Sequence, residues 1–270
     1  MQYIIYNIFL MKKAILVALF GVVLNLGNTQ SLIGGDNILK TNLSADALQN
    51  YNITFERSIN HFMSLSASYS TMPKRNIPLQ ALAKQFIDNP NINFDNFKMA
   101  NNAITLEGRF YLGLQKMSGI YIAPYARFGN LDLEVPVNYK YTYSPAPING
   151  INLPAQTVSA SSTLNGSIRS QSVGAYFGMQ YQLLTKLVLD FWIIGGHYGT
   201  SNGILQADLP ANTPSIIATP ALNALKSAID QTNANPFQLK TTVSGNSIIT
   251  NTDGPWAGIR GAGITVGLRF

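Results

Sequence analysis

The chain contains no cysteine. That excludes disulfides, thiolate metal sites and a lipid-modified N-terminal cysteine. Charge is scarce as well: Asp, Glu, Lys and Arg together make up 11% of the residues, against roughly 25% in soluble globular domains. Downstream of residue 30 no apolar run approaches the ~20 residues that a membrane helix requires. The net charge of +6 is spread along the chain, without the dense Lys/Arg patch that tracks nucleic acid, so nucleic acid is not an expected partner. There is no glycine-rich phosphate loop, no paired metal-ligand spacing and no dinucleotide fingerprint. No cofactor or metal is therefore expected.

Hydrophobic residues nevertheless reach 46%. One contiguous block lies at the N-terminus, where Met11-Lys12-Lys13 precede the apolar run Ala14–Leu26, followed by the small residues Gly27 and Thr29. This order is that of a secretory signal peptide, expected over 1–29, with Met11 the expected true start and Gln30 the first mature residue. The rest of the apolar content is expected to form one domain over 30–270, and there it alternates with period two. The alternating segments are 38–48, 50–58, 62–70, 102–113, 119–129, 169–182, 187–199 and 256–270. In 102–113, Ile104, Leu106, Phe110 and Leu112 alternate with Thr105, Glu107, Arg109 and Tyr111. In 187–199, Leu187, Leu189, Phe191 and Ile193 alternate with Val188, Asp190 and Trp192.

A soluble β-sandwich alternates too. Here, however, the apolar side is nearly unbroken, and the other side carries Gly, Ser, Gln and isolated charges. Connections also alternate in length. Short turns are expected near 59–61, 114–118 and 183–186, and long connections at 71–101, 130–168 and 200–255; only the connection near Gln49 is tight at the other end. Segments of roughly ten residues with this asymmetry predict an all-β, up-and-down antiparallel transmembrane β-barrel of about eight strands in the bacterial outer membrane. The terminal Phe270 occupies the last outward position of the final strand.

The inward set then includes Lys40, Asp46, Glu56, Glu107, Arg109, Arg127, Asp190 and Arg269. About eight strands leave an interior that side chains can fill. Buried charges must pair there. Lys40, Glu56, Glu107, Arg109, Arg127, Asp190 and Arg269 are thus the candidates for an interior ion-pair network, with Glu107 expected across from Tyr125 and diagonal to Arg127. A narrow gated channel is the alternative reading of the same residues. A wide porin, which needs some sixteen strands, is not supported.

At Ile38–Leu43, at Leu189–Gly199 (LDFWIIGGHYG) and at Gly254–Gly261 (GPWAGIRG), the chain resembles a Bacteroidota family of outer-membrane β-barrel proteins of uncharacterised function. That family is similar to the barrel half of the OmpA/OmpX architecture. The resemblance spans most of 37–270 and implies a small closed barrel without a peptidoglycan-binding domain. It implies no catalytic residues.

The long connections are expected to hold short helices. Leu79–Ile87 and Ala221–Asp230 have helical spacing, and Thr219-Pro220 is a start signal for the second. Tyr139, Tyr141 and Tyr143 are expected to extend a hairpin above the membrane. The expected role is non-catalytic, structural or surface-interacting, through external loops that meet a protein or glycan partner. Outer-membrane lipid and lipopolysaccharide are the expected neighbours, and the barrel-assembly machinery the partner during insertion. The enzymatic alternative is a lipid A acyl hydrolase or transferase. It rests on His197 and Ser201, which share the lipid-facing side of an ideal strand. No third, orienting acid accompanies them.

Overall fold

The computed structural model describes residues 35–77, 89–147, 151–183, 186–232 and 237–270. The signal peptide expected at 1–29 and the helix expected at Leu79–Ile87 lie outside these residues.

The described chain is all-β and antiparallel. Its strands are β1 (Asn37–Asn42), β2 (Tyr51–Ser58), β3 (Met63–Asn76), β4 (Lys98–Tyr111), β5 (Gly119–Tyr143), β6 (Gln156–Gln182), β7 (Leu187–Asp208), β8 (Gln238–Ser244), β9 (Ser247–Pro255), β10 (Gly258–Arg260) and β11 (Gly263–Arg269). Strands β1 to β7 each pair with the next. The final strand β11 pairs with both β1 and β7 and so closes a ring of eight strands. Closure leaves no free sheet edge in the ring, which removes the row of unpaired backbone groups an open sheet would present.

Period two decides which side chains enter this ring. On β4, Ala103, Thr105, Glu107, Arg109 and Tyr111 are buried inside, while Ile104, Leu106 and Phe110 are exposed outside. On β3, Ser64, Ser66 and Ser70 go in, and Leu65 and Tyr69 go out. Polar-in, apolar-out is the reverse of a water-soluble sheet.

The connection expected to be long at 130–168 is largely strand, and the one at 200–255 holds the end of β7 with β8 and β9. β5 and β6 stay paired from Gly119–Gln180 out to Tyr143–Gln156, and β7 runs on to Asp208. Along its length β7 takes three partners in succession: β11 at 187–192, β10 at 195–197 and β9 at 200–208. The β8–β9 hairpin completes this outer extension. The hairpin extension expected at Tyr139, Tyr141 and Tyr143 is present, but the strand between 130 and 138 and the later part of β7 were not expected, because the side-chain pattern changes there. On β5 the inward residues Tyr121, Ala123 and Tyr125 give way to Val135, Val137 and Tyr139, while the outward set turns from Ile120 and Ile122 to exposed Asn138 and Lys140. The apolar side has moved from outside to inside.

Among the described residues two α-helices border this sheet. The alternation read over 38–48 ends at Asn42, whose side chain accepts from the Ala45 backbone N–H at 3.0 Å and caps the helical turn α1 (Leu43–Ala47). A capped turn and a strand both tolerate the Leu43-Ser44-Ala45 order, and the cap decides. The second helix, α2, covers Ser215–Asp230 and begins before the expected Thr219-Pro220 start. The carbonyl of Pro214 accepts from both Ile217 and Ala218, opening the helix one turn early. Pro220 lies inside it. Its missing N–H is offset by burial of Leu222, Leu225 and Ile229 against Val135, Val137, Leu164 and Ile248 of the extension.

Ring closure predicts a specific cross-link. Leu39 and Leu268 are register partners across the β1–β11 seam and face outward. In the cysteine-free chain, Leu39→Cys with Leu268→Cys should form an intramolecular disulfide, read as a mobility shift on non-reducing gels. A sheet that stays open at the seam would leave both thiols free.

Candidate functional site

The interior of the ring holds a cluster of charged side chains delivered by the inward parity of four strands, β1, β2, β4 and β7. Arg109 on β4 is its centre. The guanidinium meets Asp190 of β7 at 2.6 Å, Glu107 at 2.9 Å and Glu56 of β2 at 3.4 Å. Lys40 of β1 pairs with Glu56 and lies 2.9 Å from Asp190, and its ammonium also donates to Gln180 at 2.8 Å. Lys40, Glu56 and Asp190 are at most 2% exposed.

Hydroxyls complete the shell. Tyr111 and Ser64 each donate to Glu56 at 2.5 Å. Tyr121 donates to Asp190 at 2.6 Å, and Tyr176 donates to Glu107 at 2.7 Å. Every carboxylate therefore accepts from at least one neutral donor in addition to its cations, the condition under which a buried ion pair is tolerable. Room for Tyr121 is made by Gly178 on β6, where a Cβ would overlap the tyrosine ring.

Of the sequence-predicted network, Lys40, Glu56, Glu107, Arg109 and Asp190 come together. Arg127 and Arg269 do not join them. Glu107 does stand opposite Tyr125. Its side chain turns to Arg109 rather than diagonally to Arg127. Arg269 sits at the short-turn end, where it bonds the carbonyls of Gly35 and Lys116 and donates to Gln182 at 2.7 Å. Asp46 is not inside either: on α1, it accepts from Thr41 at 2.6 Å and from the Asn52 backbone at 3.2 Å.

One cation was not foreseen. Arg260 of β10 lies 3.6 Å from Glu107 and is stacked among Tyr176 (4.6 Å), Trp192 (4.7 Å) and Tyr125 (5.1 Å). Three-residue β10 is too short to show an alternation, so no period placed Arg260 inside.

His197 and Ser201 require a correction. The expectation that they face outward fails at a β-bulge: Phe177 pairs with Ile194 but Gly178 pairs with Trp192, leaving Ile193 as the extra residue. One extra residue inverts the parity of everything beyond it. Ile193 and Ile194 are both exposed outside, and His197 turns toward the interior beside Arg127 and Trp192. Ser201 is 2% exposed and donates to the Gly254 carbonyl at 3.3 Å. Among the described residues no group of His, Asp and Glu could hold a metal ion.

A ring of antiparallel strands, apolar outside and holding a neutralised charge cluster inside, defines a closed all-β structure. The pattern of a protein family of unknown function, DUF3575, matches residues 15–202, and the chain belongs to that family. The match takes in strands β1 to β6 and most of β7, and with them Lys40, Glu56, Glu107, Arg109 and Asp190. No curated protein matches the chain.

The cluster predicts an asymmetric cost of substitution. Arg109→Met leaves three carboxylates short of a cation and should destabilise the fold by about 3–5 kcal/mol. Arg269→Met, which removes hydrogen bonds only, should cost about 1 kcal/mol. Urea midpoints of the purified variants measure both.

Proposed function

We propose that the protein is a non-catalytic β-barrel of the bacterial outer membrane, a rigid wall in lipid that holds its outer extension and loops toward the surroundings for interaction. The observation that carries this reading is the place where polarity inverts. Around the ring the outward side chains are large and apolar, among them Ile53, Leu106, Phe110, Ile122, Phe177 and Leu268, all exposed. Exposure of so continuous an apolar surface is unfavourable in water and favourable against acyl chains. Beyond Asn130 the same strands turn apolar residues inward under α2 and put charge outside: Lys74 pairs with Glu134 at 2.6 Å on the outer face of the extension. A hydrogen bond from Lys74 holds the Glu134 carboxyl below its usual range. A band of lipid-type surface next to water-type surface, on continuous strands, is what a membrane boundary requires.

Among the described residues no helix is long and apolar enough to cross a membrane. In this reading the closed ring of strands, whose backbone groups pair internally, is the spanning element. The similarity to small barrels of the OmpA/OmpX type and a Bacteroidota source belong to this proposal, as do insertion by the barrel-assembly machinery and contact with lipopolysaccharide. The lipid A-modifying alternative required His197 and Ser201 on the lipid side, and their inward placement removes that support. The channel alternative meets the Arg109 cluster across the bore, which supports a closed interior.

Depth-dependent substitution tests the reading. Leu106→Arg places a charge at mid-wall and should cost about 2–4 kcal/mol, whereas Asn138→Arg on the extension should be neutral. The measurement is the yield of each variant in the outer-membrane fraction. Recovery of the unaltered protein as a soluble monomer without detergent would overturn the proposal. Planar bilayers holding the purified protein should remain silent.

A further inference from the structure

The interior cluster is electrically complete without Arg127. Glu56, Glu107 and Asp190 supply the negative charges, and Lys40, Arg109 and Arg260 supply an equal number of positive ones. Above the cluster lies a cavity of about 710 Å³, within the range of small-molecule sites. Arg127 lines it, with no hydrogen bond or ion pair among the described residues. The carboxylate one diagonal step away, Glu107, is already held by Arg109, Arg260 and Tyr176. A second donor in the same wall has unused hydrogen-bonding capacity: Nη1 of Arg260, 3.6 Å from Glu107 in an ion pair, is buried and makes no hydrogen bond. Oδ1 of Asn50, also in the wall, is likewise buried without a hydrogen-bond partner.

The remaining wall suggests what such a site would take. Surplus positive charge with a planar fork selects a phosphate or carboxylate. His197 adds a nitrogen beside Arg127. The indole rings of Trp192, with the Arg260 guanidinium over it at 4.7 Å, and of Trp256 lie in the wall, as do the amide and hydroxyl groups of Asn50, Ser68 and Ser70. Indole rings together with hydroxyl-bonding groups fit a ring that is greasy on its C–H face and polar at its rim. We propose that this cavity binds a small anionic saccharide, its phosphate or carboxylate on Arg127 and Arg260 and its ring against the tryptophans. The cavity is walled by ring strands together with α1, β10 and the segment before it, whatever medium surrounds the ring, so the inference goes beyond the membrane reading and does not depend on it.

The sequence supplies a reporter. It holds 2 tryptophans, and both line this cavity. Purified full-length protein in micelles would be titrated with glucose 6-phosphate, glucuronate, neutral glucose and inorganic phosphate while tryptophan emission is followed. Micelles doped with lipid A, a phosphorylated glucosamine disaccharide, make a parallel arm. The expected result is a saturable change with the anionic sugars, at least about tenfold tighter than with glucose or inorganic phosphate, and about tenfold weaker in Arg127→Gln. Should Arg127→Gln fail to fold, Arg127→Lys, which keeps the charge but loses the fork, makes the same comparison. Arg269→Gln, remote from the cavity, should titrate as the unaltered protein does. A response to glucose 6-phosphate in plain micelles identifies a free sugar, and a response confined to doped micelles identifies a lipid headgroup; either supports the proposal. Flat titrations with every probe, glucose binding as tightly as its phosphate, or an unaltered Kd in the Arg127 variant would overturn it. None of those outcomes bears on where the protein resides, which fractionation measures separately.

Discussion

Closing the sheet onto itself forces a choice on every strand, because alternate side chains must then share one narrow, nearly dry space. The Arg109 cluster is how this chain meets that demand. Its guanidinium offers a fork of donors, and three carboxylates from three strands converge on it. Unpaired, any one of these groups would disfavour folding strongly. Paired, they tie β1, β2, β4 and β7 together across the bore, not only through neighbouring backbone bonds. Closure therefore brings the charges together, and the paired charges in turn stabilise the closed form.

The second organising feature is that a single strand serves two environments. β5 shows it most clearly. Its lower half carries Tyr121 and Tyr125 inward beneath exposed Ile120 and Ile122, and its upper half carries Val137 and Tyr139 inward beneath exposed Lys140. The backbone ladder with β6 continues without a break through the change. The upper half needs an apolar partner that the ring cannot supply, and α2 supplies it with Leu222, Leu225 and Ile229. Ring and extension are thus stabilised by opposite arrangements of the same residue types, joined by continuous hydrogen bonding.

The ring was legible in the sequence because period two is unambiguous when one side is unbroken and apolar. Inward placement of Lys40, Glu56, Glu107, Arg109 and Asp190 follows from parity alone. What parity cannot carry is a change in its own phase. The extra residue at Ile193 looks like one more apolar position, yet it reverses His197 and Ser201. Asn42 hides a cap inside an apparent strand, since Leu43 and Ala45 suit either conformation. Arg260 lay within a recognisable stretch, but the three residues of β10, Gly258 to Arg260, give no period to read. Apart from the hairpin expected at Tyr139, Tyr141 and Tyr143, the extension was taken for loop because its alternation runs in the opposite sense and so resembles no continuation of the strands below.

The rim of the ring is uneven. On one side β5, β6 and β7 rise well past it and carry α2; on the other, β1 and β2 end in a tight connection through α1, with Gln49 in the left-handed conformation. The mouth of the cavity is therefore bounded by a high back wall and a low front sill formed near Asn42 to Asn50. An incoming molecule meets less obstruction travelling sideways over that sill than descending along the axis. Access is consequently governed by the β1–β2 hairpin, and lengthening that one connection would narrow the doorway while leaving the strands beneath it untouched.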